Sequence, residues 1–193
     1  MILVVAIAAV AGFWLAHRLD HSVPALTSGT WLPQGRDPGD FSLIDQNGST
    51  FTAARLKGTP TLVYFGYTHC PDVCPLTLLQ LAQVVKSGVV PGLRVAFISV
   101  DPARDTPAQL AQYVHAFDPD FLGLTGTPAT LQSVTHRFGV AYLRVDLPGG
   151  DYSMDHSSTI FLMDSHGRNV AVFNAPYDVK SLTQDLRLAA GNL

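Results

Sequence analysis

Thr61-Leu-Val-Tyr-Phe-Gly-Tyr-Thr-His-Cys-Pro-Asp-Val-Cys-Pro75 joins an apolar run, Thr61 to Gly66, to a pair of thiols, and Cys70 and Cys74 are the only cysteines in the 193-residue chain. The run is continuous rather than alternating, the pattern of a strand buried on both faces. Three residues separate the thiols, one more than in a Cys-x-x-Cys redox motif, and this sets the sulfurs to grip something held between them. Proline is favoured at the first position of a helix and turns the residue before it away from helical geometry. A helix is therefore predicted from Pro75, with Cys74 as its N-cap and Leu76, Leu79, Leu81, Ala82 and Val85 following at helical spacing. The positive end of a helix favours thiolate over thiol, the form that attacks disulfides and binds metals.

Working outward, Phe41 to Ile44 and Ser49 to Thr52 flank Asn47-Gly48, a dipeptide that favours two-residue hairpins. After the predicted helix come an apolar strand over Leu93 to Val100, a helix from Thr106 to about Phe117 capped by Asp105 or Thr106, and a helix from Pro128 to about Phe138 capped by Thr127. Strands follow over Val140 to Val145, Thr159 to Met163 and Asn169 to Phe173, and a last helix over Val179 to Ala189 with Leu182, Leu186 and Ala189 inward. Alternation of strands and helices says only α/β. A β-α-β unit, then helices, then a closing β-β-α unit, with two thiols after the first long strand, resembles the thioredoxin-like fold: a central mixed sheet flanked by helices, here with an N-terminal β-hairpin.

Residues 1–16 are wholly apolar and end at His17-Arg18. As a helix they would span about 24 Å, somewhat less than the ~30 Å hydrocarbon core of a bilayer. A non-cleaved membrane anchor is the expected reading. A cleaved signal peptide with a site near Val23-Pro24-Ala25 and a buried helix are the alternatives, although no basic residue opens the run as a signal peptide requires. Residues 17–37 lack periodicity and are rich in Pro, Gly and Ser, which reads as a tether, so the organisation expected is anchor 1–16, tether 17–37 and folded domain 38–193. A net charge of -3 and the absence of basic runs give no reason to expect a nucleic-acid partner.

The third candidate in the chemistry is His156, in Met154-Asp-His-Ser-Ser-Thr159 just before a predicted strand. In thioredoxin-like folds the loop entering that strand lies against the cysteine motif. Two thiolates and an imidazole suit copper(I) or zinc, and structural zinc wants four closed protein ligands, of which no persuasive fourth is present. Rival readings are a structural disulfide between Cys70 and Cys74, which over so short a loop contributes little by closure entropy, and a His156 that is only a surface residue. Further candidates are Asp72, between the thiols, Asp101 and Asp155, as carboxylates that orient His156, and Tyr67, packing over the site. His69 neighbours Cys70 with a side chain expected to point away.

Thr61 to Pro75, Val100-Asp-Pro-Ala-Arg-Asp-Thr-Pro107, Phe121-Leu-Gly-Leu-Thr-Gly126 and Asp155-His-Ser-Ser-Thr159 together resemble the Sco/SenC family of copper proteins, over residues 38–193. The resemblance implies copper, as Cu(I), Cu(II) or both, held by Cys70, Cys74 and His156. It also implies an N-terminal single-pass anchor in the inner membrane, a domain on the periplasmic side, and a role in assembling the dinuclear copper centre of cytochrome c oxidase. The copper-bearing subunit of that oxidase is then the expected partner, with other copper chaperones or thiol reductants upstream. A second function is thiol-disulfide reduction by the redox-active pair Cys70 and Cys74. A peroxiredoxin-like peroxidase is disfavoured, because it needs a single activated cysteine near an arginine.

Overall fold

The structure, a computed structural model, describes residues 25–193. In chain order its strands are β1 (Gly29–Arg36), β2 (Ser42–Asp45), β3 (Thr50–Thr52), β4 (Thr61–Gly66), β5 (Arg94–Ser99), β6 (Leu122–Thr125), β7 (Tyr142–Asp146), β8 (Tyr152–His156), β9 (Thr159–Met163) and β10 (Asn169–Asn174). The helices are α1 (Val73–Lys86), α2 (Pro107–His115), α3 (Pro128–Phe138) and α4 (Val179–Ala189). Eight strands form one mixed sheet in the order β1-β10-β9-β4-β5-β6-β2-β3, and β7 and β8 pair separately. This is the expected α/β, thioredoxin-like arrangement.

Position in the sheet follows from side-chain chemistry. Every residue of β4 is buried, as a continuous apolar strand requires when both faces are covered. It runs parallel to β5 and antiparallel to β9, so the chain leaves its carboxyl end beside the start of α1, where α/β sheets place their sites. Phe65, Phe138 and Phe161 pack tilted and edge-on, with centroids 5.2–5.9 Å apart, fastening α3 to the sheet. The ends of α3 match the sequence reading: Thr127 Oγ1 accepts from Thr130 N, and Gly139 closes the helix with a left-handed φ of 71°.

Several expectations are corrected. The stretch read as a tether over 17–37 contains β1, an edge strand paired antiparallel with β10. Asp185 of α4, fully buried, gathers its approach by accepting from the N–H and hydroxyl of Thr27 and of Ser28 and from the N–H of Gly29, at 2.7–3.1 Å. Gly29 must lack a side chain, since a Cβ there would lie 2.4 Å from the Phe173 ring. The hairpin at Asn47-Gly48 is not a two-residue turn: Asn47 does not take positive φ, and Asp45 Oδ1 accepts from Asn47 N and Ser49 N to close a longer loop.

Helix α1 begins at Val73, not Pro75, with Asp72 preceding it. Cys74 is thus inside the first turn rather than at the cap, and Pro75 is tolerated because N–H groups of the first turn have no intrahelical acceptor. The buried face is Cys74, Thr77, Leu78, Leu81 and Val84, which leaves Leu76 and Leu79 exposed. Residues 1–16, read as a membrane anchor, lie outside the described residues; among the described residues no helix is long and apolar enough to cross a membrane.

Candidate metal centre

The turn from β4 into α1 is built around sulfur. Cys74 is fully buried, and a Cβ on Gly66 would lie 2.8 Å from its Sγ, so the last residue of β4 has to be glycine for the sulfur to pack there. The Tyr64 hydroxyl points at the same sulfur from 3.9 Å. Cys70, half-buried, sits on the preceding loop with its N–H donating to the Tyr67 carbonyl. That loop is held from beneath by fully buried Asp105, which accepts from the N–H of Thr68 at 3.0 Å, from its hydroxyl at 2.6 Å and from the Ser99 hydroxyl at 2.5 Å.

His156 arrives from the end of β8. Its Nε2 lies 3.3 Å from Cys74 Sγ and its Nδ1 faces the Ser157 carbonyl at 3.2 Å. A carbonyl only accepts, so Nδ1 donates to it, and Nε2 is the ring nitrogen left facing the sulfurs. Tyr64 and Tyr67 meet the imidazole edge-on, at centroid distances of 6.1 and 6.0 Å. The Sγ of Cys70, the Sγ of Cys74 and a ring nitrogen of His156 all lie within 4.8 Å of one another, and they form the one such group of His, Cys, Asp and Glu among the described residues. Bonds of about 2.0–2.3 Å to one ion separate its ligands by roughly 3.3–4.0 Å, so a small contraction closes the set.

The thiols are free and unlike each other. Cys70 is held down to about 4, first by the hydrogen bond from the Cys74 thiol, then, against the opposing effect of burial, by His156 and by backbone N–H groups of Cys74 and Asp72. The Cys74 N–H reaches the Cys70 sulfur at 3.4 Å. Cys74 is pushed upward by the Cys70 thiolate and by burial. The helix N-terminus therefore serves Cys70, where the sequence pointed to Cys74. At neutral pH the pair is one thiolate sharing the proton of one thiol, with an open depression beside His156 lined by Ala141, Tyr142, Leu143 and Asp155.

The other candidates sort themselves by contact. Tyr67 packs on the site as expected. His69 turns aside: its Nδ1 meets the Thr68 hydroxyl at 3.1 Å and stands 3.8 Å from Asp105. Asp72 is exposed at the start of α1. Neither Asp101 nor Asp155 orients His156: Asp101 binds Arg104 and the Tyr152 hydroxyl, Asp155 is exposed, and the Ser157 carbonyl takes that part. Sequence reasoning missed Gly66, Tyr64 and Asp105. Only Gly66 carried a signal, as the single residue of its strand without a side chain.

The SCO1/SenC family model matches residues 33–191. A SCO2-like protein of Rickettsia conorii is 41% identical over 157 residues, 77% of this chain and 75% of that protein. Among solved structures, Arabidopsis thaliana ScoI with copper bound is 37% identical with a TM-score of 0.77, covering 80% of this chain and 98% of that one. Bradyrhizobium japonicum ScoI with copper bound is 44% identical with a TM-score of 0.70, covering 77% and 96%.

Proposed function

Because this chain belongs to the SCO1/SenC family, we propose that it is a copper chaperone, holding one copper ion through Cys70, Cys74 and His156 and delivering it to the dinuclear copper site of cytochrome c oxidase. The observation that carries this reading is the convergence of two sulfurs and an imidazole nitrogen within 4.8 Å at the end of a strand, in a chain similar to copper-bound proteins. Thiolates favour the softer Cu(I), and the imidazole extends the set to Cu(II). A three-ligand site leaves room for an incoming thiolate, which suits transfer better than storage. The fully buried Cys74 anchors the cargo, and the half-buried Cys70 and His156 face the side from which a receiver approaches.

Residues 1–16 serve in this proposal as an inner-membrane anchor, with the domain on the periplasmic side, where the oxidase's copper-bearing subunit presents its site. Titration of the full chain with copper tests the central reading. Thiolate-to-copper absorption saturating near one ion per chain is expected, with Cys70→Ser abolishing it. Absence of that band in the parent protein would refute the proposal.

The unequal thiols favour a second activity on the same sulfurs. Cys70, as thiolate, attacks one sulfur of a partner disulfide to form a mixed disulfide and expel the partner's other thiolate. Cys74 then loses its proton and attacks Cys70, so the partner leaves with two thiols and this chain keeps one disulfide, two electrons having passed. Such a step would prepare a partner's cysteines for metal.

A further inference from the structure

His156 is the ligand that comes from a strand outside the eight-stranded sheet. It ends β8, and β7 and β8 pair only with each other. Besides buried Met154, which packs into the core, the hairpin is tied to the body by a set of bonds that meets at Arg104, in the turn after β5. Its Nε donates to Asp101 at 2.5 Å, and its Nη1 donates to the Tyr152 carbonyl at 3.0 Å and to the Asp151 carboxylate at 3.2 Å. The guanidinium carbon stands 3.6 Å from the centroid of the Tyr152 ring, which Arg144 of β7 also meets at 3.8 Å. Tyr152 returns its hydroxyl to Asp101 at 2.8 Å. Arg104 and Asp101 belong to the body and Tyr152 to the hairpin, so these contacts form a closed clamp across the junction.

The clamp continues to the imidazole. The Arg104 guanidinium carbon lies 5.8 Å from the Tyr67 ring, which packs edge-on against His156. Arg104 Nη2 is buried and has no hydrogen-bond partner among the described residues, in keeping with a guanidinium stacked on aromatic rings. Only 18% of the side chain is exposed, and 4% of Asp101. This much burial of charge at the turn end of a hairpin needs a reason beyond surface pairing, which contributes little.

We infer that Arg104 is a positioning residue for His156, pinning the β7–β8 hairpin so that the imidazole is preplaced beside the two sulfurs; the inference rests on the copper-binding reading above. A ligand on an unpinned arm is competent for only part of the time, and apparent affinity falls by that fraction. Outer partners of metal ligands typically matter by about 10- to 100-fold in affinity.

The test uses the full chain, as parent, Arg104→Ala, Tyr152→Leu, His156→Ala and the His156→Ala/Arg104→Ala double variant. Tyr152→Leu opens the clamp from the hairpin side while leaving the Arg104–Asp101 pair, and so decides the matter if Arg104→Ala does not fold. Amide hydrogen exchange in the metal-free protein should quicken about tenfold or more in β7 and β8 with β4 and β5 unchanged, and copper affinity should fall about tenfold. In the His156→Ala background, Arg104→Ala should weaken copper no further. An equal loss in that background, or unaltered exchange in the hairpin, overturns the inference. If the parent takes up no copper, the chaperone reading falls, and exchange in the metal-free variants still decides whether Arg104 holds the hairpin.

Discussion

The Sγ of Cys74 occupies the space that a side chain on Gly66 would fill, 2.8 Å from where that Cβ would stand. Strand and sulfur are thereby mutually exclusive claimants of one volume. Gly66→Ala is expected to destabilise the fold by about 1–3 kcal/mol through overpacking and to displace Cys74 from its partners. Thermal unfolding combined with copper titration checks this: a variant with parental copper absorption would show that the sulfur has slack.

His156→Ala separates the two activities assigned to the sulfurs. Copper binding should weaken by at least about tenfold, since a ligand is lost outright, whereas reduction of a small disulfide substrate should continue, because Cys70 keeps its bond from Cys74. Competition with a chelator of known affinity measures the first and loss of substrate disulfide the second. Parental copper affinity in this variant would rule out the three-ligand set.

The Cys70 thiol, lowered to about 4, is an anion throughout the neutral range. Its alkylation by iodoacetamide should stay nearly level from about pH 7 to pH 5 and fall only as pH approaches the folded pKa, whereas an ordinary thiol slows tenfold per pH unit below about 8.5. Removing the hydrogen bond from the Cys74 thiol with Cys74→Ala should move the fall toward higher pH. Mass spectrometry of the quenched, digested protein gives the rate at each pH. A Cys70 rate that drops tenfold per unit from pH 8 would contradict the asymmetry of the pair.

Asp185 makes a separate prediction about where the domain begins. Burial works against its charge, but donors from Thr27 and Ser28 outweigh that and hold the carboxyl below the usual range. A depressed folded pKa means stability that is present above the unfolded value near 4 and lost as pH falls through the folded one. Asp185→Ala should therefore destabilise the protein by about 3 kcal/mol at pH 7, leaving buried donors unpaired, and much less near pH 2. A chain cut to start at Pro38 loses β1 and exposes the edge of β10, so it should be less soluble than one cut at Ala25. Urea unfolding at the two pH values and sedimentation of the two fragments test this.

Legibility in the sequence followed the range of the forces involved. The limits of β4, α3 and β9 could be read because an apolar run, a Thr-Pro cap or a closing glycine decides them locally, and α4 could be read from Leu182, Leu186 and Ala189 at helical spacing. The two sulfurs and His156 were visible as residue types, and the motif order indicated that they meet. β1 was not legible: Pro33, Gly35 and its polar neighbours lack a strand pattern, and only pairing with β10 and the carboxylate of Asp185 make it one. β8, Tyr-Ser-Met-Asp-His, is equally silent, because it is fixed by Arg104 and by its partner β7. The start of α1 was misplaced because a first turn tolerates proline at more than one position.

The unequal depth of the three ligands gives any hand-over a direction. Cys74 is sealed behind Gly66, Tyr64 and the imidazole, while Cys70 and His156 open to solvent. In a transfer of the kind proposed, an attacking group would meet the outer two ligands first, so the innermost sulfur would be the last to let go and the ion would leave by a fixed route rather than at random.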